Sequence, residues 1–146
     1  MLLRLLGKES EVNKGGWSHP FTDVPAWADN WVGYAYQNKL TSGIGNNKFG
    51  SSDVATGAMY TTFVLRALGY SDAAGEFSWD KPHALAAKCG LIDANDSLLY
   101  FPRGSLADVS FTALGCKMKD GTPLYEKLAA AGSFTVEQYQ KAANGQ

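Results

Sequence analysis

The chain has 146 residues, which is long enough for a folded domain with a buried core. Hydrophobic residues make up 45% of it and charged residues 18%, a composition that excludes an intrinsically disordered chain. Lys and Arg number 13 against 14 Asp and Glu, so the formal net charge of -1 argues against a nucleic-acid partner and gives no electrostatic reason to bind an anionic membrane.

The first apolar segment predicts a short helix that ends at Gly7. Its pattern LLRLLGK at 2–8 recurs as VLRALGY at 64–70, and a weaker copy is FTALG at 111–115. Each copy is an apolar helical run followed by Gly, which readily adopts the left-handed conformation beyond a helix end. We therefore interpret residues 1–16 as the last helix of a preceding repeat whose beginning is missing. No apolar run reaches the roughly 18 residues of a membrane span, so we expect no membrane insertion.

Two stretches place an aromatic residue before an Asp suited to N-capping and a Pro in the first helical turn. They are FTDVP at 21–25 and FSWDKP at 77–82. After the first Asp, apolar residues at three- and four-residue spacing predict an amphipathic helix, and we expect Trp27 and Trp31 to pack in the core. The helix after the second Asp is shorter and is predicted to end at Gly90.

Loops rich in small and polar residues are predicted at 38–52 and 93–101, and each precedes a helix. The remaining predicted helices cover 56–68, 105–114, 122–131 and a last segment from Thr135, where Gln138 completes a capping box. No stretch of alternating hydrophobicity persists, so the sequence predicts an all-α fold of helix–loop–helix repeats.

Residues 21–70 resemble a repeat of the S-layer homology family. That family opens with Phe-x-Asp-Val and Trp-Ala, has a Gly-Ile turn and a Phe before its second helix, and closes with Arg-Ala-Leu-Gly. The corresponding residues here are Phe21, Asp23, Val24, Trp27, Ala28, Gly43, Ile44, Phe49, Arg66, Ala67, Leu68 and Gly69. Residues 77–121 resemble the divergent repeat that often follows in such arrays.

The resemblance implies repeats packed around a central helical bundle, with grooves that bind acidic secondary wall polysaccharide. The predicted organisation is the end of a truncated repeat (1–16), a repeat (17–72), a divergent repeat (73–121) and C-terminal helices (122–146). The implied function is non-catalytic: anchoring a parent protein outside the cell, on a bacterial cell wall or S-layer. Other such repeats, or self-association, are further expected contacts. The alternative is a structural or protein-interaction module that has lost glycan binding.

The family's ligand motif is Thr-Arg-Ala-Glu at the start of the second helix. It aligns here with Thr56, Gly57, Ala58 and Met59. The missing Arg removes the planar fork that grips a carboxylate. In the next repeat Arg103 occupies the Arg position near a helix N-terminus, which favours anions. The alternative for Arg103 is a solvated side chain, or one that ties down the preceding loop.

Gly43 and Trp17 are the other candidate ligand-binding residues. Gly43 lets the backbone approach a sugar, or simply forms the turn. Trp17 lies in a polar, Gly-rich stretch and is predicted to be an exposed ring that stacks on a sugar. We predict no catalytic residue, metal site or cofactor. Cys89 and Cys116 are expected to be small buried hydrophobes, with a single disulfide as the alternative.

Overall fold

Residues 1–98 and 101–145, which the computed structural model describes, form helices and turns with isolated bridges and no β-strand. The all-α prediction is confirmed for these residues. Their eight α-helices are α1 (Leu2–Leu5), α2 (Glu9–Asn13), α3 (Asp29–Gln37), α4 (Gly57–Ala67), α5 (His83–Lys88), α6 (Arg103–Gly115), α7 (Leu124–Ala130) and α8 (Val136–Asn144). A 3-10 turn, Ala26–Ala28, directly precedes α3. None of the described helices is long and apolar enough to cross a membrane.

Two compact units divide the chain, Met1–Ala55 and Thr56–Gln146. The first contains α1 to α3 and the second contains α4 to α8. The division falls inside the predicted repeat 17–72, between the two helices assigned to it. The repeat boundaries, and the packing of repeats around a bundle, stay predictions.

In the first unit, α2 packs against α3 through polar bonds beside an aromatic contact. The Trp17 Nε1–H donates to the Glu11 carbonyl oxygen at 3.0 Å, and the Trp17 ring meets the Tyr34 ring edge-on with centroids 4.8 Å apart. The Tyr34 hydroxyl donates to Glu11 Oε2 at 3.0 Å. Burial and this carboxylate raise the pKa of Tyr34 to about 12, so the hydroxyl stays a donor at neutral pH.

In the second unit, α4 packs against α5 and α6, α6 against α7, and α7 against α8. The apolar side chains that are least exposed in this unit are Val64, Leu65, Leu68, Ala86, Leu91, Ala113 and Leu124. A buried hydrogen bond of 2.6 Å between the Tyr60 hydroxyl and Ser110 Oγ joins α4 to α6. The second unit thus has its own core, centred on α4 and α6.

Several predicted helix ends are confirmed. The helices predicted over 56–68, 105–114 and 122–131 correspond to α4, α6 and α7. Thr56 Oγ1 accepts from the Met59 N–H at 3.2 Å and caps α4. Thr135 and Gln138 form both bonds of the predicted capping box at the start of α8. In the loop predicted before α6, residues 99 and 100 lie outside the described residues.

The proposed helix-ending glycines behave in two ways. Gly7 and Gly69 have φ values of 65° and 94°, so each takes the predicted left-handed conformation after an apolar helix. The prediction is wrong for Gly115, which is the last residue of α6. The chain leaves that helix in an extended conformation at Cys116, because the Cys116 carbonyl accepts from the Leu124 N–H at 3.0 Å as the chain turns into α7.

The prediction that Asp23 and Asp80 are helix N-caps is wrong. The helix α3 begins six residues after Asp23 and α5 has Pro82 at its N-cap, and neither has a capping side chain. Asp23 is instead used by a distant loop, and Asp80 accepts from the neighbouring Ser78 hydroxyl. Both carboxylates therefore satisfy backbone or side-chain donors outside the helices they were expected to start.

The core position predicted for Trp27 is also wrong, because 82% of this residue is exposed. The 3-10 turn breaks the helical phase assumed from the sequence, so Ala28 and Val32 face inward while Trp27 points to solvent. Trp31 is half-buried, and the Arg4 guanidinium lies 5.4 Å from its ring centroid in a cation–π contact.

Candidate functional site

The residues of the sequence pattern that begins at Phe21 come together in the first unit. Phe21, Ala28 and Val32 form a small buried cluster, and Val24 and Phe49 pack against it. The Phe21 and Phe49 ring centroids lie 5.7 Å apart. Phe21, at the start of the pattern, therefore packs on Phe49, near its middle. This contact folds the intervening loop back on the helix.

The Asp23 carboxylate fixes the same loop by accepting hydrogen bonds from the backbone of that loop. Its carboxylate oxygens accept from the N–H groups of Phe49 at 2.7 Å, Gly50 at 2.9 Å and Ser51 at 3.4 Å. These bonds, led by the one from Phe49, lower the pKa of Asp23 below its usual range. The carboxylate therefore acts as an anchor for the loop.

Gly43 is held in this loop with φ +73°, in the left-handed region. A Cβ at this position would lie 2.5 Å from the Lys48 carbonyl oxygen and would also collide with the Phe21 ring. Any other residue would therefore be strained and would displace the cluster. The structure supplies a packing reason for glycine here, and a sugar contact at Gly43 stays a prediction.

Trp17 is half-buried, whereas the sequence predicted an exposed ring. Its indole N–H is already bonded to the Glu11 carbonyl and its ring packs on Tyr34. These contacts account for the low exposure, because they tie the turn after α2 to α3. Trp17 and Gly43 lie in separate parts of the first unit, and no described contact joins them.

Arg103 is the first residue of α6 and is exposed. No hydrogen bond or ion pair links it to the residues described around it. It follows Pro102 at the N-cap and begins a 13-residue helix, and the N-terminal end of a helix dipole favours anions. Its assignment as an anion contact stays a prediction.

Gly57 shows why the other ligand motif is incomplete. A Cβ on Gly57 would lie 2.8 Å from the Leu98 carbonyl oxygen and 2.8 Å from Phe101 Cδ2. The start of α4 is thus packed against the chain that leads into α6, and no side chain fits there. Where the family motif has Arg, this chain has a glycine that lets the backbone at Leu98 come close.

A cavity of about 710 Å³ in the second unit was not predicted from the sequence. Its lining includes Tyr70, Lys88, Cys89, Cys116, Lys117 and Tyr139. The two Lys-Cys neighbours, one at the end of α5 and one just after α6, are the sequence signal that could have identified it. They are far apart along the chain, so only the tertiary fold brings them to one cavity.

Both cysteines at this cavity are free thiols, so the disulfide alternative does not occur in this structure. Cys116 is buried and Cys89 is half-buried. Burial raises the pKa of the Cys116 thiol to about 11, which keeps it protonated at neutral pH. The expectation of a small buried hydrophobe is confirmed for Cys116. Among the described residues no group of His, Cys, Asp and Glu is arranged to hold a metal ion.

Comparison with known proteins gives one informative relative. No protein-family profile and no solved structure matches the chain. A protein of Thermoanaerobacter kivui named Cell surface protein is 34% identical over 151 residues, which cover 91% of this chain and 19% of the relative. The chain therefore spans about a fifth of that protein's length.

Proposed function

We propose that this chain is a non-catalytic module of the S-layer homology type, which anchors its parent protein on the bacterial cell surface by binding wall polysaccharide. The observation that carries the proposal is the convergence of the motif residues. Phe21, Asp23, Gly43 and Phe49, which carry the resemblance, each contribute to one loop-and-helix assembly. Such residues are not readily exchanged, so their joint occurrence supports descent from a repeat of this type.

The relative supports the cell-surface part of the proposal. The name of that relative, Cell surface protein, fits an extracellular role for this chain, 91% of which aligns with it. Because the alignment covers a small share of the relative, we propose that the module serves a larger protein. Polysaccharide as the partner rests on the family resemblance and on the exposed cation at the start of α6.

Co-sedimentation with purified bacterial cell walls tests this function. We expect the chain to pellet with native walls and to stay in solution with walls stripped of their secondary polymers. Pelleting with both preparations, or with neither, would contradict polysaccharide anchoring. Denatured or unrelated protein of similar charge serves as the control for trapping in the pellet.

Arg103→Ala tests the proposed anion contact. We expect it to weaken wall binding about tenfold, as for the loss of a charge-assisted contact at a ligand site. Lys127→Ala, which removes an exposed cation of α7 in the same unit, is the matched control and should bind as the unaltered chain does. Equal binding by both variants would exclude Arg103 from the site.

A structural or protein-interaction module is the second candidate function. The packed glycine at position 57, where the family motif has Arg, favours it, since no anion-gripping side chain fits there. The exposed apolar residues Trp27 and Val54, at 82% and 86%, offer surface for a protein partner. Absence of wall binding together with self-association in sedimentation velocity would favour this candidate.

A further inference from the structure

Both cysteine residues of the chain line the cavity in the second unit. Cys89 comes directly after α5 and Cys116 comes directly after α6, so the ends of two helices bring the two thiols to one cavity. Since the chain contains these two cysteines and no others, each thiol has the other as its possible partner within the chain. The fold therefore makes a pair of two residues that are far apart in sequence.

The two thiols act on each other and on one tyrosine of the same lining. Burial is the main cause that raises the pKa of the Cys116 thiol, and the neighbouring Cys89 adds to the effect. The pKa of Tyr70 is raised first by its hydrogen bond with Cys89, then by burial, and the charge of Cys116 contributes as well. Tyr70, Cys89 and Cys116 thus form one cluster of interacting groups at the cavity.

The two thiols differ in their access to a reagent. Cys89 is half-buried, whereas Cys116 is buried and its thiol donates to the Thr112 carbonyl oxygen at 3.4 Å. A reagent that enters the cavity therefore meets Cys89 first. The described lining contains Lys88 and Lys117 and no carboxylate, so a sulfur that gains negative charge during thiol exchange is not repelled by the lining.

We propose that Cys89 and Cys116 are a redox pair, which a low-molecular-weight disulfide oxidises to a disulfide bond within the second unit. The Cys89 thiol loses its proton to water and its sulfur attacks one sulfur of the reagent, whose S–S bond breaks and releases one thiol after protonation. The Cys116 thiol then loses its proton, and its sulfur attacks the Cys89 sulfur and releases the second thiol. Two protein thiols are oxidised, and one external disulfide is reduced to two thiols.

The bond would tie the end of α5 to the end of α6. A cross-link between distant segments restricts the unfolded chain, so the oxidised form should be the more stable one. The proposed extracellular location favours oxidation, since disulfides persist outside the cell. The redox pair goes beyond the proposed function and does not depend on wall binding, so either proposal can fail without the other.

The test treats the reduced full chain, under native conditions, with bis(2-hydroxyethyl) disulfide, a small neutral reagent. We expect a monomer that is lighter by two hydrogen atoms, and a tryptic digest in which peptides 89–103 and 104–117 are joined. Cys116→Ser should stop at the mixed disulfide, which is heavier by one hydroxyethylthio group. Cys89→Ser should react at least about tenfold more slowly, because its remaining thiol is buried. A native chain that stays at the mixed disulfide, links to a second chain or does not react would overturn the proposal.

Equilibrium with the same reagent separates a pair that is set by the fold from two thiols that meet by chance. The ratio of disulfide to dithiol should be at least about tenfold higher in the folded chain than in concentrated urea, because a cross-link that the native fold accommodates stabilises that fold. The thermal midpoint of the chain should rise on oxidation, and that of the control Cys89→Ser/Cys116→Ser should not change. Equal ratios in both states, or a lower midpoint after oxidation, would contradict the pair.

Discussion

Thr61 and Thr62 are neighbours on α4, and both are buried, with 0% and 3% of each residue exposed. Their hydroxyls have different surroundings. The Thr62 hydroxyl donates to the Trp79 carbonyl oxygen at 2.8 Å, whereas Thr61 Oγ1 has no hydrogen-bond partner among the described residues. A buried hydroxyl without a partner costs stability, and one with a partner contributes to it.

Replacing each threonine by valine should therefore have opposite effects. Thr61→Val keeps the shape of the side chain and removes an unpaired polar atom, so we expect the free energy of unfolding to rise by about 1 kcal/mol. Thr62→Val leaves the Trp79 carbonyl without its donor and should lower it by about 1–2 kcal/mol. Urea denaturation of the two variants measures the difference, and a loss of stability in Thr61→Val would show that its hydroxyl is satisfied.

Arg66, part of the pattern repeated from the N-terminal segment, has a structural role. Its Nε and a terminal nitrogen donate to the two Asp72 oxygens at 2.9 and 2.7 Å, and these side chains are only 9% and 17% exposed. The hydrogen bonds from Arg66 lower the pKa of Asp72 below its usual range. The pair joins the end of α4 to the turn that follows.

Asp72 should therefore make stability depend on pH in the acid range. Its pKa is lower in the folded chain than the unfolded value near 3.9, so its contribution is present above that value and is lost as the pH falls through the folded pKa. We expect Asp72→Asn to lower the free energy of unfolding by about 1–3 kcal/mol at pH 7, and we expect this difference to shrink as the pH falls through the folded pKa of Asp72. A difference between the chains that stays constant from pH 7 to 2 would contradict the assignment.

At the scale of single helices, two glycines have opposite surroundings. Gly33 is buried in the middle of α3, and a Cβ there would lie 2.6 Å from the Trp17 carbonyl carbon and 2.9 Å from Trp17 Cβ. Gly104 is in the first turn of α6, and a Cβ there would meet nothing within 4 Å. Alanine is intrinsically better than glycine in a helix by about 1 kcal/mol, so packing decides the sign at each position.

We expect Gly104→Ala to raise the free energy of unfolding by up to about 1 kcal/mol. Gly33→Ala should lower it by about 2 kcal/mol or more, because α3 must separate from the backbone at Trp17. Thermal melts of the two variants followed by circular dichroism provide the comparison. Equal gains in stability would contradict the close approach of α3 to the segment after α2.

The helices that were predicted well are those whose start is decided locally. At α4 and α8 the capping threonine is bonded to a backbone N–H three residues away, so a short window of sequence contains both partners. Asp23 has the same local pattern, yet its partners are 26 to 28 residues further along the chain. Whether such an Asp caps a helix or anchors a distant loop is decided only by the folded loop. For the same reason, the 3-10 turn and the exposure of Trp27 were not predicted.

The candidate sites were predictable to a similar extent. The position of Arg103 at the start of a helix could be predicted, because an alignment along the chain places it there, and its role in binding stays a prediction. The prediction that the Trp17 ring is exposed was wrong, because its contacts with Glu11 and Tyr34 depend on the packing of α2 and α3. The cavity at Lys88 and Lys117 was not predicted, because its two Lys-Cys neighbours are far apart along the chain and only the fold brings them to one cavity.

At the scale of the whole molecule, the net charge of -1 offers no general attraction for an acidic polymer. The proposed wall binding therefore depends on local cations such as Arg103, which is exposed. Because such contacts are screened by salt, we expect wall binding to weaken steadily between about 0.05 and 0.5 M NaCl. Co-sedimentation across this range measures the effect, and binding that is independent of salt would point to an uncharged ligand or an apolar contact.

The proposed function depends on recognition of an acidic wall polysaccharide. Calorimetric titration with the polysaccharide released from bacterial walls tests it most directly, beside the same polymer after reduction of its carboxylates to alcohols. We predict saturable binding of the native polymer and binding at least about tenfold weaker for the reduced one. The absence of binding to the native polymer, or equal binding to both, would contradict the account.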